Sequence, residues 1–216
     1  WALGQRGSPL YNFLGVKYVL AGKESPPGDE RLVPVFAGEE IDVYLNTAAY
    51  PRALFVTHAS VARDHEEAWR AIHAPGFDPR QTVVLEQGPN ADPAIGSADS
   101  GPAALSFVRY GLNDVAVSVN APCAGWLVLS DVYYPGWRAA VDGVTTPVLR
   151  ANYTFRAVPV PAGDHLVEMT FAPWTWRIGL LASTLTWTGI AVACFRHSRI
   201  GAALLARRPS PSRHHG

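Results

Sequence analysis

The longest apolar stretch of the chain lies near its C-terminal end, where residues 178–195 carry no charged side chain. As a helix with a rise of about 1.5 Å per residue, this stretch would be roughly 27 Å long, close to the hydrocarbon thickness of a bilayer. It is flanked by residues typical of membrane anchors, namely Trp174, Trp176, Arg177, Arg196 and Arg199. We therefore predict a single transmembrane helix over 174–195. The alternative is a buried core helix, which the serine and threonine residues inside the stretch leave open.

Before this stretch, the pattern is that of short β-strands. Val115, Val117 and Val119 alternate with more polar residues, which predicts a strand with one face on a core and the other toward water. The pair Asp142-Gly143 lies between two strand-like runs, 137–141 and 144–150, and predicts a two-residue hairpin turn. A turn at 161–164 is expected to join another pair. The spacing of these runs predicts an antiparallel β-sandwich of about seven strands over residues 105–173.

Residues 1–86 mix strand-like and helix-like patterns, and we assign them to an N-terminal α+β subdomain. Short runs rich in β-branched and aromatic residues predict strands at 16–21, 32–36, 41–45, 53–58 and 82–86. A short helix is expected to begin at Ser8-Pro9 and end at Gly15. Asp64 with Glu67 three residues later is a capping box, and a helical face of Val61, Ala68, Trp69 and Ile72 predicts a second helix.

Residues 87–104 are dense in Gly, Pro, Asn, Asp and Ser, which is typical of a loop between subdomains. The expected fold class is therefore mainly β: an antiparallel β-sandwich with one or two short helices, followed by a single C-terminal transmembrane helix.

The charge of the chain is unevenly distributed along it. Five of its 18 basic residues are arginines in the tail, residues 196–216, which leaves 13 basic against 18 acidic residues in the body. Basic residues flanking a span stay on the cytoplasmic side, so we expect a membrane protein with an extracytoplasmic body and a cytoplasmic tail. The mildly acidic body argues against nucleic acid as a partner. Because the chain starts with Trp1 and shows no signal-peptide pattern, we expect it to be part of a longer protein.

No motif in the sequence supports catalysis by the chain itself. The run that starts at His65-Glu66 lacks the second histidine of a zinc-helix motif, since Trp69 stands in its place. Glycine-rich nucleotide motifs are missing, so no cofactor is expected, and two distant cysteines, Cys123 and Cys194, predict neither a disulfide nor a metal site. The histidines are interpreted as solvated or structural.

An aromatic and polar cluster after the third strand of the sandwich is the best candidate site. Aromatic faces can stack on the C–H surfaces of sugars while neighbouring polar groups bind hydroxyls, so the cluster suits a glycan platform. Its candidate glycan-binding residues are Asp131, Tyr133, Tyr134, Trp137, Arg138, Arg150, Asn152 and Tyr153. The alternative is structural, since Trp126 and Trp137 are large enough to dominate a small β core and Tyr133-Tyr134-Pro135-Gly136 suits a corner between strands.

The same segment carries a family resemblance. The runs LVLSDVYYPGWRAAVDG and RANYTFRAVPVPAGDHLVEMTFAP, followed by an apolar span, resemble the C-terminal region of YfhO-like bacterial multi-spanning membrane proteins, as do NFLGVKYVLA, PRALFVTHASVARDHEEAW and FDPRQTVVLE upstream. The resemblance implies a membrane-embedded glycosyltransferase of the GT-C type that uses polyprenyl-phosphate sugars to modify cell-envelope polymers. It transfers no catalytic residue to this chain, because related enzymes hold their catalytic carboxylate in an early outer loop.

Two functions follow as hypotheses. In the first, the chain is an extracytoplasmic accessory domain plus the last span of a glycosyltransferase, with the lipid bilayer, the remaining spans of the parent protein and an envelope glycan or polyprenyl-phosphate sugar as partners. In the second, it is a non-catalytic structural or protein-interaction module with no glycan contact. A third possibility, a secreted hydrolase, lacks a recognisable pair of working carboxylates.

Overall fold

The structure is a computed structural model that describes residues 12–86 and 101–206, with side chains described up to residue 195. This part of the chain contains fourteen strands in three sheets and two helices, which confirms the mainly β fold class. The strands are β1 Tyr18–Gly22, β2 Leu32–Ala37, β3 Ile41–Asn46, β4 Ala53–Val56, β5 His58–Ala62, β6 Thr82–Glu86, β7 Ala104–Tyr110, β8 Asp114–Ala121, β9 Gly125–Leu129, β10 Trp137–Val141, β11 Val144–Thr146, β12 Leu149–Ala151, β13 Phe155–Val160 and β14 Gly163–Phe171. The helices are α1 His65–Ile72 and α2 Trp174–Ala206.

Two of the sheets share the main core. A five-stranded sheet has the order β11-β10-β14-β8-β7, and a six-stranded sheet has the order β4-β9-β13-β12-β6-β5. The valines of β8 that alternate in the sequence are buried in one cluster with Leu127 and Leu129 of β9 and with Val158 and Val160 of β13. The sandwich expected from this alternation is therefore present.

The six-stranded sheet is buried on both faces at its centre. All five residues of β9 are buried; Leu127 and Leu129 join the cluster shared with the five-stranded sheet, whereas Trp126 and Val128 join a second cluster with Phe155. Successive side chains of a strand point to opposite faces, so the continuous apolar run Trp126–Leu129 corresponds to burial from two sides.

This sheet combines strands from both sides of the Gly/Pro-rich loop. β4 pairs with β9, and β6 pairs with β12, so residues before position 87 and after position 101 share one sheet. The contacts place all of these strands in one compact unit, and α2 belongs to a second unit.

The helix α1 begins as the capping box predicts. The side chain of Asp64 accepts a hydrogen bond from the Glu67 N–H at 2.7 Å, and the Glu67 carboxylate accepts one from the Arg63 N–H at 2.8 Å. Ala68 and Ile72 are the buried residues of this helix. Val61 was expected on this helical face, but it lies in β5 and is exposed, because the Asp64 cap starts the helix after it.

Two expected strands are interrupted, and one expected strand pair does not form. The expected strand 144–150 is two strands in different sheets, β11 and β12, separated by Pro147, which has no N–H to donate. The run 53–58 splits at Thr57 into β4 and β5, which lie at opposite edges of the six-stranded sheet. β13 and β14 were expected to pair across the turn at Pro161, but they belong to different sheets.

A separate three-stranded sheet has the order β1-β3-β2 and presents an apolar outer face. Cross-strand partners point to the same face, and the partners Tyr18 with Leu45 and Leu20 with Val43 place Tyr18 and Leu20 on this face, which we call the outer apolar face. Phe36 also faces outward, opposite Val43. Tyr18, Leu20 and Phe36 are 53 %, 64 % and 62 % exposed. By contrast, the inner face buries Ala21, Leu32 and the polar Asn46.

The helix α2 contains 22 residues, Trp174–Phe195, that are long and apolar enough to cross a membrane. Its predicted anchors Trp174 and Trp176 are 67 % and 65 % exposed. The backbone stays helical past the predicted end of the span at 195, up to Ala206. Within the helix, the hydroxyls of Thr186 and Thr188 donate to the carbonyls of Ala182 and Thr184, which satisfies these polar groups inside an apolar segment.

The hairpin turn Asp142-Gly143 has positive φ at both positions, 50° and 81°, as its sequence predicts. Its aspartate also binds β14, since the carboxylate accepts from the Leu166 N–H at 2.8 Å and lies 2.6 Å from Nδ1 of His165. The hydrogen bond to Asp142 raises the pKa of His165, and the same hydrogen bond lowers the pKa of Asp142.

This pair predicts a pH-dependent contribution to stability. Because the folded pKa of His165 is raised, its contribution is complete below its unfolded value of about 6.5 and is lost as the pH rises through the folded pKa. Asp142 contributes above about pH 4 and loses its contribution as the pH falls through its lowered pKa. We expect His165→Gln to lower the free energy of unfolding more at pH 5.5 than at pH 8.5, measured by urea titration of the full chain in detergent.

The matched control is His58→Gln, because the His58 ring contacts the Thr57 hydroxyl rather than a carboxylate. An equal effect of His165→Gln at both pH values would contradict the assignment.

Candidate functional site

A row of charged side chains crosses one face of the six-stranded sheet. Glu86 of β6 lies opposite Arg150 of β12, and Arg150 lies opposite Arg156 of β13, so the three side chains point to the same face. The row lies between two apolar clusters, one shared with the five-stranded sheet and the other formed with α1. We call this row, together with Asp131, the charged seam.

Asp131 is the acceptor at one end of the charged seam. Its Oδ2 accepts from Nη2 of Arg156 at 2.7 Å, and its Oδ1 accepts from the Tyr110 hydroxyl at 2.8 Å and from Nη1 of Arg52 at 3.1 Å. Asp131 follows β9 by two residues, and Tyr110 ends β7, so the site joins the ends of both sheets of the sandwich. The Asp131 carboxylate is therefore the hydrogen-bond acceptor for two arginines.

Arg156 is a buried cation that is only partly hydrogen-bonded. Its residue is 3 % exposed, its guanidinium carbon lies 3.9 Å from the centre of the Trp137 ring, and its Nε and Nη1 have no hydrogen-bond partner among the described residues. Burial lowers the pKa of Arg156, while Asp131 opposes this shift. Burial also raises the pKa of Tyr110, with the hydrogen bond to Asp131 acting in the same direction.

These groups surround a pocket at the end of the sandwich. The pocket has a volume of about 340 Å³. We call it the Arg156 pocket; its lining residues are Tyr110, Gly111, Leu112, Val115, Asp131, Trp137 and Arg156.

A second concavity lies at the other end of the charged seam, beside α1. This cleft has a volume of about 540 Å³ and is lined by His65, Glu66, Trp69 and Tyr153. The Tyr153 ring stacks on His65 at 3.8 Å between centroids and meets the edge of Trp69 at 4.9 Å. We call it the aromatic cleft.

The charged seam contacts His65, one of the residues that line the aromatic cleft. Nδ1 of His65 lies 2.9 Å from the Glu86 carboxylate, and Nη1 of Arg150 lies 3.5 Å from the same carboxylate. The Arg150 guanidinium in turn lies 5.1 Å from the centre of the Tyr133 ring. His65, on which Tyr153 stacks, is therefore held in place by a partly buried ion pair.

The turn that presents Tyr153 is strained. Tyr153 has a φ of 72°, in a region that residues other than Gly, Asn and Asp rarely adopt, and Asn152 before it has a φ of 47°. The buried Asn152 compensates by pairing with β6: its Oδ1 accepts from the Val84 N–H at 2.8 Å, and its own N–H donates to the Val84 carbonyl at 2.6 Å. Strain of this kind is concentrated at functional sites in proteins, and here it places an aromatic ring in the cleft.

The structure separates the candidate glycan-binding residues into groups. Asp131 and Trp137 line the Arg156 pocket, whereas Tyr153 lines the aromatic cleft and Arg150 and Tyr133 lie behind it. Asn152 is buried and shapes the turn. Tyr134 is 62 % exposed near Phe171, and Arg138 is exposed on β10.

Of the two tryptophans that bear on the structural alternative, Trp126 is buried and Trp137 is half-buried. Trp137 packs against the main core and also lines the pocket. Its position therefore fits both interpretations.

Several residues of these sites were not predicted from the sequence. Tyr110, Arg52 and Arg156 contact Asp131. His65, Glu66 and Trp69 line the aromatic cleft with Tyr153, and Glu86 contacts His65. The one available signal was Arg156, a lone charge inside the apolar strand Phe155–Val160. The others come together only through the pairing of strands distant in sequence.

Among the described residues, no group of three or more His, Cys, Asp or Glu side chains could hold a metal ion. The two sites present aromatic faces, carboxylates and a guanidinium with two donors that have no partner among the described residues.

The fold and its last helix define a β-rich domain attached to a candidate membrane span. The family model described as bacterial membrane protein YfhO matches residues 103–183, from the start of the five-stranded sheet into α2. The chain thus contains a YfhO-like membrane-protein region, which confirms the resemblance in the sequence. Searches of curated proteins and of solved structures found no match.

The buried ion pair of the charged seam yields a stability prediction. Asp131→Asn removes the counter-charge of a cation that is 3 % exposed. We expect the free energy of unfolding to fall by about 3 kcal/mol, the cost typical of an uncompensated buried charge. Urea titration of the full chain in detergent measures the change.

Arg63→Gln is the control, because Arg63 pairs with Glu67 at a side-chain exposure of 90 % and its loss should cost about 0.5 kcal/mol or less. The double variant Asp131→Asn, Arg156→Met should recover part of the lost stability. If Asp131→Asn behaved like the Arg63 control, the ion pair would not stabilise the fold.

Proposed function

We propose that this chain is the extracytoplasmic accessory domain and last membrane span of a YfhO-like protein, and that it presents a cell-envelope glycan to a lipid-linked-sugar glycosyltransferase. The aromatic cleft is the observation that carries the proposal, because it combines stacking rings and a carboxylate in a chain with a candidate membrane span. In this proposal the polyprenyl-phosphate sugar and the catalytic residues belong to other parts of the parent protein, and this chain binds the acceptor.

The aromatic cleft has the size and chemistry of a sugar site. Its volume of about 540 Å³ falls within the range of about 300–1,000 Å³ usual for ligand sites. Trp69 is 38 % exposed, so part of its indole ring is available to the C–H face of a pyranose. The carboxylate of Glu66, with 83 % side-chain exposure, can accept hydrogen bonds from sugar hydroxyls.

A protein-interaction module is the second candidate, and the outer apolar face supports it. Tyr18, Leu20 and Phe36 are more than half exposed on a sheet whose inner face buries Asn46. Exposed apolar patches of this kind are typical of interaction surfaces. In this version the partner is another part of the parent membrane protein, and the aromatic cleft has only a structural role.

Calorimetric titration of the full chain in detergent with envelope-derived oligosaccharides tests glycan binding. We expect Trp69→Ala to weaken binding about tenfold, which corresponds to the loss of one aromatic stacking contact. Tyr153→Phe should retain most of the affinity, because the stacked ring is kept.

Tyr18→Ala is the matched control, since it removes an exposed aromatic ring from the outer apolar face. Melting temperatures establish that each variant is folded. Absence of binding to any oligosaccharide by the folded wild-type chain would reject the glycan function and leave the protein-interaction module as the better proposal.

The proposed orientation can be measured with single cysteines in a Cys123→Ser, Cys194→Ser background. Thr145→Cys places a thiol at an exposed position of β11, and Ser212→Cys places one in the basic tail. We expect a membrane-impermeant maleimide added to intact cells or spheroplasts to label Cys at 145 and not at 212, because basic flanks stay in the cytoplasm.

Both sites should react after the membrane is permeabilised, which controls for reagent access. The reverse labelling pattern would place the body of the chain in the cytoplasm and remove it from envelope glycans.

A further inference from the structure

We propose that the Arg156 pocket is a second binding site, distinct from the aromatic cleft, and that it takes an oxyanion: a phosphate or carboxylate group carried by an envelope polymer or sugar. It lies at the other end of the charged seam and shares no lining residue with the cleft. Oxyanion binding can therefore be tested separately from glycan binding at the cleft, while the envelope origin of the ligand rests on the orientation in the proposed function.

Positive charge exceeds negative charge at the Asp131 carboxylate. Arg52 and Arg156 both bind Asp131, so two guanidinium groups face a single carboxylate at this end of the charged seam. Arg150, the cross-strand neighbour of Arg156, is already paired with Glu86, so the excess positive charge comes from Arg52 and Arg156. An incoming anion would complete the neutralisation of the pocket.

Part of the hydrogen-bonding capacity of Arg156 is not used by the described residues. The side chain is at least nine-tenths buried, yet Nε and Nη1 lack partners among the described residues, and an unpaired buried donor is costly. The planar guanidinium suits two oxygens of a phosphate or carboxylate in parallel. Trp137 covers one face of the guanidinium and Asp131 holds Nη2, so its orientation is already set before a ligand arrives.

An anion needs a route to the buried donors of Arg156. Nε and Nη1 are shielded from solvent, so an anion must displace part of the pocket wall to reach them. Leu112 lines the pocket at the tip of the β7–β8 turn and is 96 % exposed, so it marks the solvent side of the pocket rather than the wall over Arg156. The Tyr110 hydroxyl lies on the same wall and can turn to donate to a ligand instead of to Asp131.

Ligand-dependent thermal unfolding of the full chain in detergent tests the site, with inorganic phosphate, glucuronate and glucose as probes at constant ionic strength. Binding to the folded state raises the melting temperature. We expect a rise with at least one acid and none with glucose. A rise with phosphate alone would indicate a phosphate ester as the natural ligand, and a rise with glucuronate alone would indicate a sugar acid.

Leu112→Asp is the decisive variant, because it places a negative charge at the mouth of the pocket while removing a side chain with little packing. We expect the affinity for the acid to fall about tenfold by like-charge repulsion. Val144→Asp is the control, because it adds the same charge away from the pocket. Val144 is 70 % exposed and begins β11, which follows the end of β10 opposite to Trp137.

Tyr110→Phe adds a second measurement, because it keeps the ring and removes the hydroxyl, and it should also weaken acid binding. The proposal is overturned if neither acid raises the melting temperature, or if Leu112→Asp and Val144→Asp respond alike. Oligosaccharide binding at the aromatic cleft should be unchanged in Leu112→Asp, so failure of one site is distinguishable from failure of the other.

Discussion

Burial of β9 and β13 on both faces is the constraint on which the rest of the fold depends. Leu127 and Leu129 face one cluster and Trp126 and Val128 the other, so neither strand can form a stable sheet without cover on both sides. The five-stranded sheet covers one face. Strands from the first third of the chain extend the same sheet at both edges, which makes the two sequence segments interdependent for stability.

The charged seam follows from the same constraint. The six-stranded sheet packs against the five-stranded sheet in one part of this face and against α1 in another. Between these two parts it carries Glu86, Arg150 and Arg156 instead of aliphatic residues. Charges at such a junction are stable only when they are paired, and Asp131 and Glu86 provide the pairs. The junction also leaves a concavity at each end, one lined by aromatic rings and one by a guanidinium. The same residues thus stabilise the fold and shape both candidate sites.

Local chemistry made several features predictable from sequence. The Asp64–Glu67 capping box, the positive-φ turn at Asp142-Gly143 and the alternating valines of β8 depend on near neighbours, and the structure confirms all three. Features that depend on distant partners were not predictable. Pro147 lies where the chain passes from one sheet to the other, whereas the local sequence pattern predicted a single strand through this position. The candidate residues divided between two sites because Asp131 follows β9 while Tyr153 lies in the turn between β12 and β13.

The sequence by itself determined the apolar helix that can span a membrane, the mainly β character of the body and the resemblance to YfhO-like proteins, because composition, period and motif are properties of contiguous residues. Only the tertiary structure decided that Arg156 is buried on Trp137 against Asp131, and that Trp69, His65 and Tyr153 line one cleft. These contacts join residues up to 88 positions apart, as Tyr153 and His65 show, and the register of paired strands is what brings them together.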